Sequence, residues 1–304
     1  MKIKINGQLS APTLNGVDYT LIQKNGLEAI LAPNSNYSEM IFADCDLSAL
    51  SLMKCDFSNC KFYNCRIEMT EFSYSTFRNT EFHHCSLSGT ALLFTEMNSV
   101  VFSHCDLASS RFNYSKITDA KINECDLQQS QFIETKFINA GFYICKFDGS
   151  NMQGAKIENA KFEMVYAQEV PWSLKNVYLR HVQFIKCKTS GTNALAAILS
   201  DCLFDRSNFW KSIFVGTSIY DSKIIHSGFN QSEMKQSDFV NTALVASRFR
   251  MSIFSHSTFT GCTVSDCLLE NADFRNAKFN SSVLENNHIG IESRFQTIFE
   301  KVEK

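Results

Sequence analysis

Large apolar residues recur at every fifth position along most of the chain. Stepping from Phe42 gives Leu47, Leu52, Phe57, Phe62 and Ile67, and the series runs on without a polar member to Phe162. With this apolar residue as position i, position i−2 is nearly always small: Cys45, Cys55, Cys60, Cys65, Thr70, Ser75, Thr80, and onward to Ala155 and Ala160. The other three positions are mostly polar or charged. A helix would scatter a five-residue period around its circumference, and a long strand would alternate with period two. Five residues with two inward side chains describe a very short strand plus a corner. One such unit cannot bury its apolar side alone, so the units must stack.

Six cysteines give the size of a turn. Cys45, Cys65, Cys85, Cys105, Cys125 and Cys145 are each 20 residues apart, so four units close one coil. Phe62, Phe82 and Phe102 then fall in one interior column with Phe42, and Asn59, Asn79, Asn139 and Asn159 fall in another at i+2. Asparagine suits a corner, because it tolerates unusual backbone angles and hydrogen-bonds locally. Successive coils are expected about 4.8 Å apart, the ordinary interstrand distance.

The same grammar returns in a shifted register from Leu199 through Phe204 and Phe249 to Ile289, with i−2 now largely serine. It traces back to Leu179. The expected organisation is one continuous rod. An N-terminal cap (1–41) leads into a first coiled segment (42–162), an irregular loop or insertion (163–178) and a second coiled segment (179–289). The interruption holds Pro171 and Trp172. Proline lacks the donor that a ladder needs, and an exposed Trp172 would make this loop a partner-binding site. Residues 290–304 carry an amphipathic stripe of Phe295, Ile298, Phe299 and Val302. The stripe predicts a short C-terminal helical cap that covers the last open edge or serves a homodimer.

Five segments resemble the pentapeptide-repeat family, whose consensus is A(D/N)LXX: CDLSA at 45–49, CDFSN at 55–59, CDLAS at 105–109, CDLQQ at 125–129 and ADFRN at 272–276. The resemblance covers roughly 42–162 and 179–289. It implies an all-β solenoid, a right-handed quadrilateral parallel β-helix, and supplies the handedness and the square section. Some members of the family mimic duplex DNA and bind DNA gyrase, protecting it from quinolones or toxins. Others are effectors injected into host cells.

Composition narrows the chemistry. No apolar run is long enough to span a membrane, and the N-terminus lacks an apolar signal core. The expected location is therefore cytoplasmic as made, with export into a host cell by a non-classical route left open. All 12 cysteines fall at i−2, where Ser, Thr and Ala also occur, so small volume is the shared requirement. Parallel thiols in a straight column suit neither a disulfide framework nor a tetrahedral zinc site, and buried free cysteine acts as a small hydrophobe. His84 and His104 point outward while Cys85 and Cys105 point inward, so no Cys–His pair is expected. No phosphate loop or HExxH motif is present. The chain is not expected to be an enzyme or to hold a cofactor.

Charge bears on the partner. The net charge is −2, with 14 acidic and 11 basic residues in 42–162 and 9 and 8 in 199–289. A duplex mimic should carry a denser negative surface. Lys116, Lys136 and Lys156 share an outward column at i−1, and Lys121 and Lys161 lie on the next face. They are either solvated or a patch for an acidic protein or a phospholipid surface. Direct nucleic-acid binding is not expected, because the aromatics at i are buried and cannot stack on bases. The function that follows is a non-enzymatic protein-binding scaffold, of the bacterial secreted-effector type. The alternative is a DNA-mimicking ligand of gyrase or another topoisomerase.

Replacing Cys85 or Cys105 with Ala or Ser should leave a soluble protein with a modestly lower melting temperature. Cys105→Trp should overpack the coil and disrupt it. Thermal melts that ranked the substitutions in the opposite order would show that i−2 does not face inward.

Overall fold

The structure, a computed structural model, describes residues 31–290 and the backbone of 298–300. The chain divides into two compact units, Met1–Ser150 and Asn151–Lys304. Among the described residues there is no helix.

In the first unit, three-residue strands stack in parallel at a spacing of 20 residues. One ladder runs through Ile41–Ala43, Lys61–Tyr63, Glu81–His83, Val101–Ser103, Lys121–Asn123 and Gly141–Tyr143. A second runs through Thr76–Arg78, Glu96–Asn98, Lys116–Thr118 and Lys136–Ile138. The two remaining faces pair by single bridges such as Asp46↔Arg66 and Ser51↔Glu71. Coiling reaches back beyond Phe42, since Asn36 bridges Asp56 and Tyr37 is fully buried against Phe57. Residues 31–41 are thus already coil, and the rest of the expected N-terminal cap lies outside the described residues.

Position i forms the core. Phe42, Phe62, Phe82 and Phe102 stack with centroids 4.7, 4.5 and 4.9 Å apart, which is the coil-to-coil distance expected of neighbouring strands. The residue at i+2 turns each corner in the left-handed region, as at Asn59 (φ 60), Asn79 (φ 52) and Asn139 (φ 54). Asparagine is among the few residues that accept this region readily. Its amide also links the coils: Asn79 Nδ2 donates to Asn59 Oδ1 at 3.2 Å.

Position i−2 asks for more than small volume. The Ser237 hydroxyl donates to the Phe214 carbonyl of the preceding coil at 2.6 Å and accepts the Thr217 amide of that coil at 3.2 Å. Thr70, Ser75 and Thr135 donate in the same way to Leu47, Leu52 and Phe112. The thiols of Cys105 and Cys145 do so to Phe82 and Ile122 at 3.3 Å. Each side chain satisfies backbone groups that burial would otherwise leave costly. Alanine at i−2 fits the volume but forgoes this bond.

The second unit repeats the pattern. One ladder includes Lys161–Glu163, Gln183–Ile185, Leu203–Asp205 and Lys223–Ile225. Another includes Lys156–Glu158, Tyr178–Arg180 and Ile198–Ser200. At its far end Ile298–Glu300 is a strand paired in parallel with Lys278–Asn280. This corrects the expected helical cap at those residues. The partner of Phe299 is Phe279, one coil back, so the chain adds to an open edge that offers unpaired amides. The remainder of the stripe lies outside the described residues.

The expected irregular loop of 163–178 shrinks to one corner. Asn151↔Ser173, Lys156↔Tyr178, Lys161↔Gln183 and Tyr166↔Lys188 are each 22 residues apart, whereas Ser173↔Asn193 and Lys188↔Asn208 return to 20. Two extra residues therefore sit between Tyr166 and Ser173, where residues 168–171 are exposed. Trp172 occupies the i−2 place of Leu174 and is fully buried, its ring 5.4 Å from Phe162 and 6.2 Å from Phe184. A tryptophan fits where serine is usual because the coil around it is longer.

Deleting Glu169 and Val170 should restore a 20-residue coil and leave Trp172 without room, lowering the melting temperature sharply. Adding Trp172→Ser to the deletion should recover most of the loss, although Trp172→Ser alone should cost about 3 kcal/mol or more. Additive losses in the three melts would show that the longer corner and the tryptophan are unrelated.

Candidate interaction surface

The interior holds little that could react. The buried polar side chains among the described residues are all Ser and Thr, with no charged group. All twelve cysteines are free and buried, and Phe62, Phe82 and Phe102 are likewise buried. Burial pushes the Cys60, Cys145 and Cys202 thiols up to about 12. Within the column, hydrogen bonds from Cys45 and Cys85 lower the Cys65 thiol, at the expense of raised values on those two neighbours. Among the described residues no cation is buried to compensate a thiolate, so burial opposes any net loss of protons from the column. Among the described residues no three His, Cys, Asp or Glu are grouped to hold a metal ion.

The outward rows are set by the corners, and here one corner of the first unit departs from the rest. Position i+2 normally carries Asn, Asp, Gly or another polar residue. In three successive coils it carries Tyr74, Phe94 and Tyr114, at φ 63, 54 and 62. Their rings stack with centroids 5.0 Å apart in both steps and planes within 3° and 10° of parallel. They remain 51%, 44% and 54% exposed. Stacking recovers roughly 0.5–1.5 kcal/mol per pair, against a left-handed backbone cost of roughly 1–2 kcal/mol for each side chain with a Cβ. Beside them the coil reads Gly89, Ala91 and Leu93, with Met69 laid over Gly89, whose own Cβ would meet Met69 Cγ at 3.4 Å. On the other side a shallow depression is lined by Arg78, Glu96, Asn98, Lys116 and Thr118.

The aromatics at i are buried as expected, and this ladder lies outside that series, at i+2. The readable signal is an aromatic at 74, 94 and 114, a 20-residue interval at a position that is mostly polar elsewhere. The rings nevertheless cover one another's faces and present their edges, so the ladder is a ridge rather than a platform for bases.

The expected contact residues are scattered. Trp172 is buried and belongs to the core, which removes the exposure on which its partner-binding role depended, whereas Pro171 is exposed at the corner. The tryptophan at the surface is Trp210, 41% exposed, with Lys211 Nζ 4.4 Å from its ring centre. Lys116 and Lys136 are strand partners and both exposed. Lys121 lies between Val101 and Gly141 and so has no stacked lysine beside it. In the second unit Lys156 stands beside Tyr178, and Lys161 is paired with Glu163 at 2.6 Å. His84 and His104 stack at 4.8 Å on the surface, and His104 Nδ1 reaches Glu124 at 3.4 Å.

Parallel coils of four five-residue units, a polar surface and an interior of small i−2 and large i residues define a class of protein, and the sequence places this chain in it. Residues 35–112 and 95–172 match the Pentapeptide repeat region, and residues 252–286 match Pentapeptide repeats (8 copies), together more than half of the chain. The chain belongs to the pentapeptide-repeat family, and its fold is the right-handed quadrilateral β-helix of that family. No curated protein matches it. Among solved structures it is similar to QnrB1, a plasmid-mediated fluoroquinolone resistance protein, at 16% identity over 59% of this chain and 90% of that one, with a TM-score of 0.34. It is similar to HetL, a pentapeptide repeat protein involved in heterocyst differentiation regulation in the cyanobacterium Nostoc, at 14% identity over 85% and 94% with a TM-score of 0.32. The A-module of the Azotobacter vinelandii mannuronan C-5 epimerase AlgE6 gives 8% identity over 86% and 88% with a TM-score of 0.40. At such identities and scores the likenesses carry no functional weight.

The raised thiols predict a pH dependence. Each holds its proton more tightly folded than unfolded, so their contribution is complete below pH 9, the ordinary thiol value, and is lost as pH rises towards 12. The melting temperature should fall across that window, and less steeply in a Cys60→Ser, Cys145→Ser, Cys202→Ser variant. Equal slopes in the two proteins would refute the assignment.

Proposed function

We propose that the chain is a non-enzymatic protein-binding scaffold whose contact surface is the aromatic corner of the first unit. The observation that carries this reading is the exposed ladder of Tyr74, Phe94 and Tyr114. A corner asks for Asn or Gly, and large rings placed there are half in water. Edge-exposed aromatics flanked by charges are the usual composition of a contact core and its rim. The membership of a repeat family adds a rigid backbone on which such a ridge is held in place.

As an effector or as an intracellular topoisomerase ligand, the scaffold would use the same ridge. The mixed charge around it argues against the DNA-mimicking alternative. Lys116 and Lys136 stand in the row next to the corner, where an anionic groove-filling surface would need carboxylates.

A photo-crosslinking phenylalanine analogue at position 94 should give protein adducts in a bacterial host, and Tyr74→Ser with Tyr114→Ser should reduce them about tenfold. The same analogue at position 109, on another corner, should give none. Gyrase supercoiling in the presence of a fluoroquinolone should be unaffected by the purified protein. Absence of adducts at 94, or equal adducts at 109, would overturn the reading.

A further inference from the structure

The rows around the aromatic ridge have a symmetry of charge that the ridge itself does not require. Along the corner the order is Lys54, Tyr74, Phe94, Tyr114, Glu134. Phe94 is the midpoint, with a cation two coils to one side and an anion two coils to the other. In the row before the corner the order is Ser51, Glu71, Ala91, Arg111, Gln131, an anion and a cation one coil either side of Ala91. In the row after it Asp56, Thr76, Glu96, Lys116 and Lys136 bridge or pair in succession, with Asp56 and Lys136 two coils either side of Glu96. Each row therefore holds one pair of opposite charges at mirror positions about the same coil, and in the third row Lys116 has the uncharged Thr76 at its mirror position.

We infer that the aromatic corner binds a second copy of this chain, antiparallel, about a two-fold axis through the coil of Phe94. The inference rests on the reading of the corner as a protein contact and names the partner.

A two-fold axis lying in the interface, perpendicular to the coil axis, sends each coil to its mirror position while keeping each row opposite itself. Phe94 then meets the second Phe94, and Tyr74 meets Tyr114 of the other copy. Lys54 faces Glu134, Glu71 faces Arg111, and Asp56 faces Lys136, and each pair occurs twice. Glu96 is the one like-charged meeting at the axis, and Arg78 of its own chain already lies 3.7 Å from it. An axis parallel to the coils would instead set Lys54 on Lys54 and Glu134 on Glu134, which repel. Lys54, Arg111, Glu134 and Lys136 are exposed, and among the described residues none forms an ion pair within 4.0 Å: the nearby pairs are Arg78–Glu96 and Lys61–Glu81. Both signs are thus available to a neighbour. Four coil steps separate Lys54 from Glu134, about 19 Å at roughly 4.8 Å each. The contact is an apolar ridge with a charged rim, whose association should weaken with salt.

The test exploits the fact that each copy carries both members of every pair. Lys54→Glu alone puts like charges opposite one another twice, and so does Glu134→Lys alone. Each single variant should weaken dimerisation about tenfold or more in analytical ultracentrifugation at low salt. An equimolar mixture of the two variants should dimerise as the original does, and so should the double variant Lys54→Glu with Glu134→Lys. Recovery on mixing cannot come from misfolded chains. The mass of the adduct formed by the photo-crosslinker at position 94 completes the test. A band at twice the chain mass, together with recovery on mixing, supports the inference. Adducts only with a different protein, or a dimer indifferent to both swaps, overturn it while leaving the corner as a protein contact. No adduct of any kind removes both.

Discussion

Every coil must offer its backbone donors and acceptors in the order in which the next coil needs them. Nothing else in the structure is as strict, because corner amides such as that of Asn59 find their acceptor only in the next coil, at the Arg78 carbonyl, even where others such as that of Cys60 close on their own coil at Phe57. The hydroxyl or thiol at i−2 completes the match. Ser237 takes an amide from Thr217 and gives its proton to Phe214, both in the coil before. The phenylalanines at i fill the interior, but the small polar residue beside them decides that one coil lies directly on the next. Columns of like residues follow from that requirement, and stacked rings follow from the columns.

The core was legible because each of its demands repeats. Phe42, Phe62 and Phe82 answer the same environment three times, so the period stands out above the variation of the polar positions. What remained hidden was whatever occurs once or depends on partners. Trp172 reads as a loop residue, because no local feature shows that two extra residues at 168–171 enlarge the space around it. The chemistry of i−2 reads as volume alone, since Cys, Ser, Thr and Ala are all small while only three of them can donate. Ile298 and Phe299 belong to an apolar stripe that suits a helix in isolation, yet the 20-residue interval between Phe279 and Phe299 repeats the strand register, and the open strand edge takes precedence.

The candidate surface is obscured in the sequence for a related reason. Aromatics abound at i, and against that series the mostly polar positions read as background. Tyr74, Phe94 and Tyr114 lie in that background, and only their common corner brings them together. The left-handed backbone at i+2 is fixed by the fold whatever side chain it bears, so this row can change without disturbing the interior. A coil of this kind separates the residues that build it from the residues that it displays, and the charges flanking the ridge belong wholly to the second set.

Uniform repeats carry a hazard of their own. A chain whose columns match at 20 residues also matches, nearly as well, when a segment slips by a whole coil, because phenylalanine still meets phenylalanine and serine still meets serine. The coil that contains Trp172 breaks that degeneracy in the second unit. Its 22-residue circuit accepts the indole, while the neighbouring circuits of 20 have a place only for a small residue. One oversized side chain in one oversized turn thus acts as an index mark, giving an otherwise interchangeable stack a single alignment on which to close.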